Sequence, residues 1–255
     1  MSIYRLTLQY DGTDLVGWQR QAAGVSVQGL LEDAAGRLEG RAVTVIGAGR
    51  TDAGVHALGQ VASVGLERAI EPDELGRALN GLLPSTVRVI QVEVARVDFN
   101  ARFAAKAKTY RYRVLNQPIA NPFELRYAWH VPRRLDEPRM VDACALLVGR
   151  HDFAAFRSSG SRVQTTVRTV RTFELRRVRQ AGVPQAGDFG AILRFDVTGD
   201  GFVRHMVRAM VGTVIEVGGG QRTLDSVRAA MESGRRGSAG VTAPAHGLFL
   251  VRVEY

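Results

Sequence analysis

Three features of the chain predict an α+β fold with helices packed on one face of a largely antiparallel sheet. Residues 4–10 and 189–197 alternate apolar and polar side chains, the period of a half-buried strand. Residues 26–38 carry apolar side chains at a 3.6 period instead, which marks a helix with one buried face. Strand-like and helix-like stretches interleave without the spacing of a doubly wound parallel sheet. The order strand, helix, strand, helix, strand occurs in each half, dividing the chain into residues 1–105 and 106–255.

The first strand places Tyr4, Leu6, Leu8 and Tyr10 on one face and ends at Asp11-Gly12. Residues 11–24 then read as a loop. Trp18 suits a core, whereas Gln19-Arg20-Gln21 beside it offers polar groups to a ligand. Ser26 is a good N-cap for a helix whose stripe is Val27, Leu30, Leu31, Ala34, Ala35 and Leu38. Two apolar runs, residues 43–46 and 61–64, read as strands flanking a glycine-rich loop, residues 47–60. A helix over Pro72–Leu82 would bury Leu75, Leu79 and Leu82, and residues 87–94 are strand again.

The second half opens with a strand that sets Lys106, Lys108, Tyr110, Tyr112 and Val114 on one face, with Ala107, Thr109, Arg111 and Arg113 on the other. Residues 116–126, with Pro118 and Pro122, are loop. Asp136 can cap a helix burying Met140, Cys144, Leu147 and Val148. Residues 157–171 are rich in Ser, Thr and Arg and show no clear period. Phe173 and Leu175 belong to a strand, and residues 180–188 form a Gly/Pro turn. A largely apolar helix over residues 202–217 is interrupted by Arg204, His205 and Arg208, with Arg204 and Arg208 one turn apart. Residues 248–255 make the last strand.

At 255 residues the chain can bury a sizeable core, and 45% hydrophobic with 23% charged residues is the composition of a soluble globular protein. Its 34 Lys and Arg against 25 Asp and Glu give a net charge of +9, mostly from Arg, which grips phosphate bidentately. A polyanionic partner such as nucleic acid fits this balance. The single Cys144 forms no internal disulfide and suits a reducing compartment. Neither a signal peptide nor a long apolar run is present, so the cytoplasm is the expected location.

Residues 47–60 read Gly-Ala-Gly-Arg-Thr-Asp-Ala-Gly-Val-His-Ala-Leu-Gly-Gln. Four glycines let the backbone turn tightly or approach a ligand closely. Arg50-Thr51-Asp52 puts one carboxylate beside a guanidinium and a hydroxyl. That carboxylate is a candidate nucleophile or base, or else a turn former accepting nearby backbone N–H groups. The loop has neither the Walker spacing nor a completed G-x-G-x-x-G, and no Cys/His cluster has metal-ligand spacing.

Residues 47–56 resemble the active-site motif of the tRNA pseudouridine synthase A family. The resemblance extends through Tyr10-Asp11-Gly12, Gly17-Trp18-Gln19-Arg20-Gln21, Ala101-Arg102-Phe103 and Tyr110-Arg111-Tyr112 to Phe202-Val203-Arg204-His205-Met206-Val207-Arg208. It implies the pseudouridine synthase fold: two similar ferredoxin-like, RRM-like subdomains forming an extended, mostly antiparallel sheet with a central cleft. It implies Asp52 as the catalytic residue, Arg208 as the partner that keeps its carboxylate ionised, and Tyr110 as the platform for a flipped uridine. Arg50 and Arg20 are implied substrate contacts. Phe249 stands where the family often has Tyr, so the ring is kept and the hydroxyl lost; Asn100 stands where His is frequent.

The implied reaction is conversion of uridine to pseudouridine at positions 38, 39 and 40 of the tRNA anticodon stem-loop, by a homodimer. It is redox-neutral and implies no cofactor. Two readings compete with it. A non-catalytic RRM-like module would bind RNA through aromatic stacking, yet the RNP1-like aromatic pattern is absent. A glycoside hydrolase would need a second carboxylate, and the motif shows none.

Overall fold

The computed structural model describes residues 1–158, 164–178, 189–235 and 237–255. The turn expected at residues 180–188 lies outside them. The chain divides into two compact units: residues 1–106 with 249–255, and residues 107–248.

The first unit runs β1 (Ser2–Tyr10), α1 (Val27–Glu39), β2 (Val45–Gly47), β3 (His56–Leu66), α2 (Pro72–Leu82) and β4 (Val87–Ala95), and the chain returns to it in the last strand, β10 (Leu248–Glu254). β1 lies between β4 and β3, antiparallel to both, and β2 pairs antiparallel with β3. This is the connectivity of the ferredoxin-like split βαβ motif. The alternation read in β1 holds, since Tyr4, Leu6, Leu8 and Tyr10 are all buried. Ser26 caps α1 by accepting from the Gly29 amide at 3.2 Å, and Val27, Leu31, Ala34 and Ala35 are its buried stripe. In α2, Leu75 and Leu79 are buried as expected, but Leu82, its last residue, is 40% exposed.

Two expectations change here. The loop after β2 is shorter than residues 47–60, because β3 starts at His56. Polar and small residues 56–60 carry no strand pattern, but β1 supplies their partners, with Leu8 opposite Gln60 and Tyr10 opposite Ala57. The last strand also belongs with the first unit rather than the second half, because β10 pairs in parallel with β3, Phe249 opposite His56. Along that edge of β3, β2 covers Ala62 to Val64 and β10 covers His56 and Ala57. The loop leaves the sheet where one neighbour gives way to the other.

In the second unit, β5 (Ala107–Asn116) pairs antiparallel with β9 (Ala191–Gly199), β9 with β8 (Val167–Val178), and β8 with β7 (Gly149–Asp152). A short β6 (Trp129–Val131) lies parallel to β5. Tyr110, Tyr112 and Val114 stand opposite Val197, Phe195 and Leu193, and all six are buried. The helices are α3 (Glu137–Leu146), α4 (Met206–Gly218) and α5 (Leu224–Ser233). Asp136 caps α3 at the Arg139 amide, 3.0 Å. Cys144 is buried on α3, and desolvation pushes its thiol well above the usual range. β6 and β7 are too short to show a period, and α5 buries only Val227 and Ala230. The stretch from Arg157 already becomes strand at Val167.

The helix expected from residue 202 begins at Met206 instead. His205 precedes it with φ +65°, a left-handed conformation that ends any helical run from upstream. Arg204 therefore lies outside α4 and does not share a helical face with Arg208. Among the described residues no helix is long and apolar enough to cross a membrane.

Candidate functional site

Residues 48–55, between β2 and β3, carry Asp52, and the backbone of residues 12–18 straps them down. The Trp18 amide donates to the Thr51 carbonyl at 3.0 Å, and the Gly54 amide donates to the Leu15 carbonyl at 3.4 Å. Gly17 makes the strap possible: its φ is +102°, and a Cβ there would sit 2.5 Å from the Thr51 carbonyl oxygen. Gly47, at the end of β2, likewise leaves room, since a Cβ there would meet the Trp18 ring at 2.3 Å. Trp18 is 3% exposed, so of its two readings the structure gives core packing against the loop's base.

Beneath the loop lies a buried polar group that sequence reasoning did not single out. Tyr10 Oη is 2.8 Å from Thr51 Oγ1, and Gln60 Nε2 reaches Tyr10 Oη at 3.4 Å and the Gly49 carbonyl at 2.9 Å. Burial pushes the Tyr10 phenol up to about 12, against the lowering effect of those two hydrogen bonds. The signal was present in the sequence, since a buried phenol at the end of a core strand needs a polar partner.

At the far end of the loop His56 is buried. Its Nδ1 lies 3.0 Å from the Gly12 amide and 3.1 Å from Asp11 Oδ1. The Asp11 carboxylate and the Gly12 amide thus converge on one ring nitrogen, and the Asp11 contact is an ion pair when the imidazole is protonated. Phe249 stacks on the His56 ring, with centroids 4.7 Å apart and planes at 23°.

Asp52 itself is half-buried within this frame, and its carbonyl accepts from the Val55 amide at 3.1 Å. Arg50 is exposed two residues before it. Arg20 is differently placed: its Nε meets Glu32 at 2.9 Å, and its Nη2 meets Asp33 at 2.6 Å and the Gly29 carbonyl at 3.0 Å. These carboxylates, Asp33 foremost, raise its pKa further. A phosphate reaching Arg20 competes with two anions already there.

The other two residues lie in the second unit. Tyr110, on β5, is 8% exposed and meets the Phe202 ring edge-on, centroids 5.2 Å apart at 84°. Arg208, on the first turn of α4, donates from Nε to the Ala243 carbonyl at 2.6 Å, while the Ala243 amide donates to the Arg208 carbonyl at 3.2 Å. Tyr112 donates to the neighbouring Pro244 carbonyl at 2.7 Å. Burial raises its pKa, and the positive charge of Arg208 opposes the rise. Asn100 takes a structural place, its Oδ1 accepting from the Arg102 and Phe103 amides.

Comparison with known proteins bears on all of this. The tRNA pseudouridine synthase family profile matches residues 7–104 and 143–255. A relative named tRNA pseudouridine synthase A from Moorella thermoacetica is 44% identical across all of both chains. Its namesake from Syntrophotalea carbinolica is 42% identical over all of this chain and 97% of the relative. The one from Methylacidiphilum infernorum is 43% identical over 99% of this chain and 95% of its own.

Proposed function

Because the chain belongs to the tRNA pseudouridine synthase family, and is accordingly an isomerase of tRNA uridines, we propose that it forms pseudouridine at positions 38, 39 and 40 of the anticodon stem-loop, with Asp52 as nucleophile. The observation that carries the reading is the placement of Asp52: one half-open carboxylate on a loop whose backbone is fixed from below and from the side.

The reaction breaks the N1–C1′ bond of uridine, turns the uracil and forms a C5–C1′ bond. C5 gives up a proton and N1 gains one, so atoms and charge balance without an oxidant. The Asp52 carboxylate adds at C1′, adds at C6, or removes a ribose proton to give a glycal; each route needs one positioned anion. The uridine must first leave its stack, at a cost of a few kcal/mol. By the family resemblance, the Tyr110 ring receives the flipped base and its phenol oxygen accepts the C5 proton. Arg50 and Arg20 hold the surrounding RNA, Arg20 by exchanging a carboxylate for a phosphate. The working form is a cytoplasmic homodimer.

The test is to incubate the protein with unmodified tRNA and map pseudouridine at single-nucleotide resolution. New pseudouridine confined to positions 38–40 supports the proposal. Product scattered through an unstructured RNA defeats the positional assignment. Binding to tRNA without any product would favour the non-catalytic RRM-like reading.

A further inference from the structure

The Gln60, Tyr10 and Thr51 side chains form a buried hydrogen-bonded chain that ends one residue before Asp52, and it has a direction. Gln60 is fully buried, and its amide nitrogen must face the Gly49 carbonyl, because an oxygen there would repel it. The second amide hydrogen then faces Tyr10 Oη. Tyr10 Oη accepts it and turns its own hydrogen to Thr51 Oγ1, since a buried phenol hydrogen left without an acceptor is costly. Thr51 is 6% exposed and is held twice, by the phenol at its hydroxyl and by the Trp18 amide at its carbonyl. The next residue is Asp52.

We propose that Thr51 and Tyr10 are positioning residues for catalysis: the hydroxyl-to-hydroxyl bond between them sets the direction in which the Asp52 carboxylate leaves the loop. Neither touches the reacting atoms. The bond ties the loop to the end of β1, a core strand paired on both edges, so the loop inherits the rigidity of the sheet. Glycines at 47, 49 and 54 make the surrounding backbone permissive, and the hydroxyl pair removes that freedom at the residue preceding the carboxylate. A misplacement of about 1 Å at a reacting group can cost about 100-fold in rate, which is the scale on which this bond acts. The proposal rests on the reading of Asp52 as nucleophile.

Thr51→Val keeps the shape and removes the hydroxyl, whereas Thr51→Ser keeps the hydroxyl and removes a methyl. Tyr10→Phe removes the other oxygen while keeping the ring. Pseudouridine formation in unmodified tRNA is followed at saturating substrate and at low substrate, alongside thermal unfolding and tRNA affinity. The expected result is a kcat lowered about 10- to 100-fold in Thr51→Val and in Tyr10→Phe, on the positional scale above. KM and tRNA affinity should stay within about twofold, and Thr51→Ser should return to within about threefold of wild type. That split and that rescue do not follow from general destabilisation.

Wild-type kcat in folded Thr51→Val overturns the proposal, and so does a Thr51→Ser variant as slow as Thr51→Val. Should Tyr10→Phe fail to fold, the Thr51 pair alone decides. Asp52→Asn, measured in parallel, separates the two levels. If it is inactive while Thr51→Val is unaffected, only the positioning role falls; if it is active, the nucleophile assignment falls first.

Discussion

The loop of residues 48–55 and the turn of residues 200–205 both interrupt regular structure beside charged side chains, and they are held by different means. The first is fixed from beneath by side chains specific to it: Tyr10, Gln60 and the His56 ring. The unusual backbone there falls on glycines, Gly54 in the loop at φ +76° and Gly17 in the strap beneath it at φ +102°. In the second, backbone amides and carbonyls take part in three bonds. The Asp200 amide donates to the Thr169 carbonyl at 3.1 Å, Asp200 Oδ1 accepts from the Thr169 amide at 3.0 Å, and the Ser158 amide donates to the Arg204 carbonyl at 3.1 Å. Its left-handed residue is His205, with no side-chain cap for the helix that follows. Backbone bonds tolerate exchange of side chains in a way that a buried phenol–hydroxyl pair does not. The two regions should therefore respond differently to substitution.

The largest difference is expected at Gly17. Gly17→Ala adds a Cβ at positive φ against the Thr51 carbonyl, and it should lower the unfolding free energy by about 3 kcal/mol, read from denaturant midpoints. A loss below about 1 kcal/mol would mean the strap yields easily and the loop is no stiffer than the turn.

That contrast also marks how much the sequence discloses. The glycine-rich loop, the Ser26 cap and the span of α2 are local chemistry, so they can be read directly. The start of β3 cannot, because residues 56–60 become strand only through β1 and β10, which lie far away in the chain. The start of α4 was misplaced because nothing local reveals that His205 takes φ +65°. The loop position of Asp52, between β2 and β3, is legible from the glycine-rich run around it. The carboxylates engaging Arg20, 12 and 13 residues downstream, were not. Neither was the bracing of Thr51, which depends on a contact spanning 41 residues.

A second test uses pH. The Tyr10 phenol is raised from 10.0 to about 12 in the folded protein. The unfolded chain therefore loses this proton first, and the stability it contributes is full below pH 10 and is lost as pH rises from 10 through 12. The contribution is roughly 3 kcal/mol. Tyr10→Phe should flatten the fall of unfolding free energy over that window by about one proton, measured by denaturant titration. An unchanged slope would show that the phenol ionises as readily in the folded loop as in the unfolded chain.

The smallest effects belong to the turn. His205→Val forces a β-branched residue to positive φ and should cost about 1–2 kcal/mol, whereas Asn tolerates that conformation. His205→Asn should cost less than His205→Val in thermal unfolding. If Asn costs as much as Val, the imidazole itself holds the turn, and the contrast with the loop weakens.

On the proposed function, the braced loop presents one carboxylate to the substrate. The direct measurement is single-turnover pseudouridine formation by Asp52→Asn in unmodified tRNA, with affinity and thermal unfolding measured on the same sample. The amide keeps the shape and removes the anion, so the rate should fall by more than about 1,000-fold, the scale on which loss of a nucleophile is felt, while binding and folding stay unchanged. A well-folded Asp52→Asn protein that forms pseudouridine within about tenfold of the wild-type rate would contradict it.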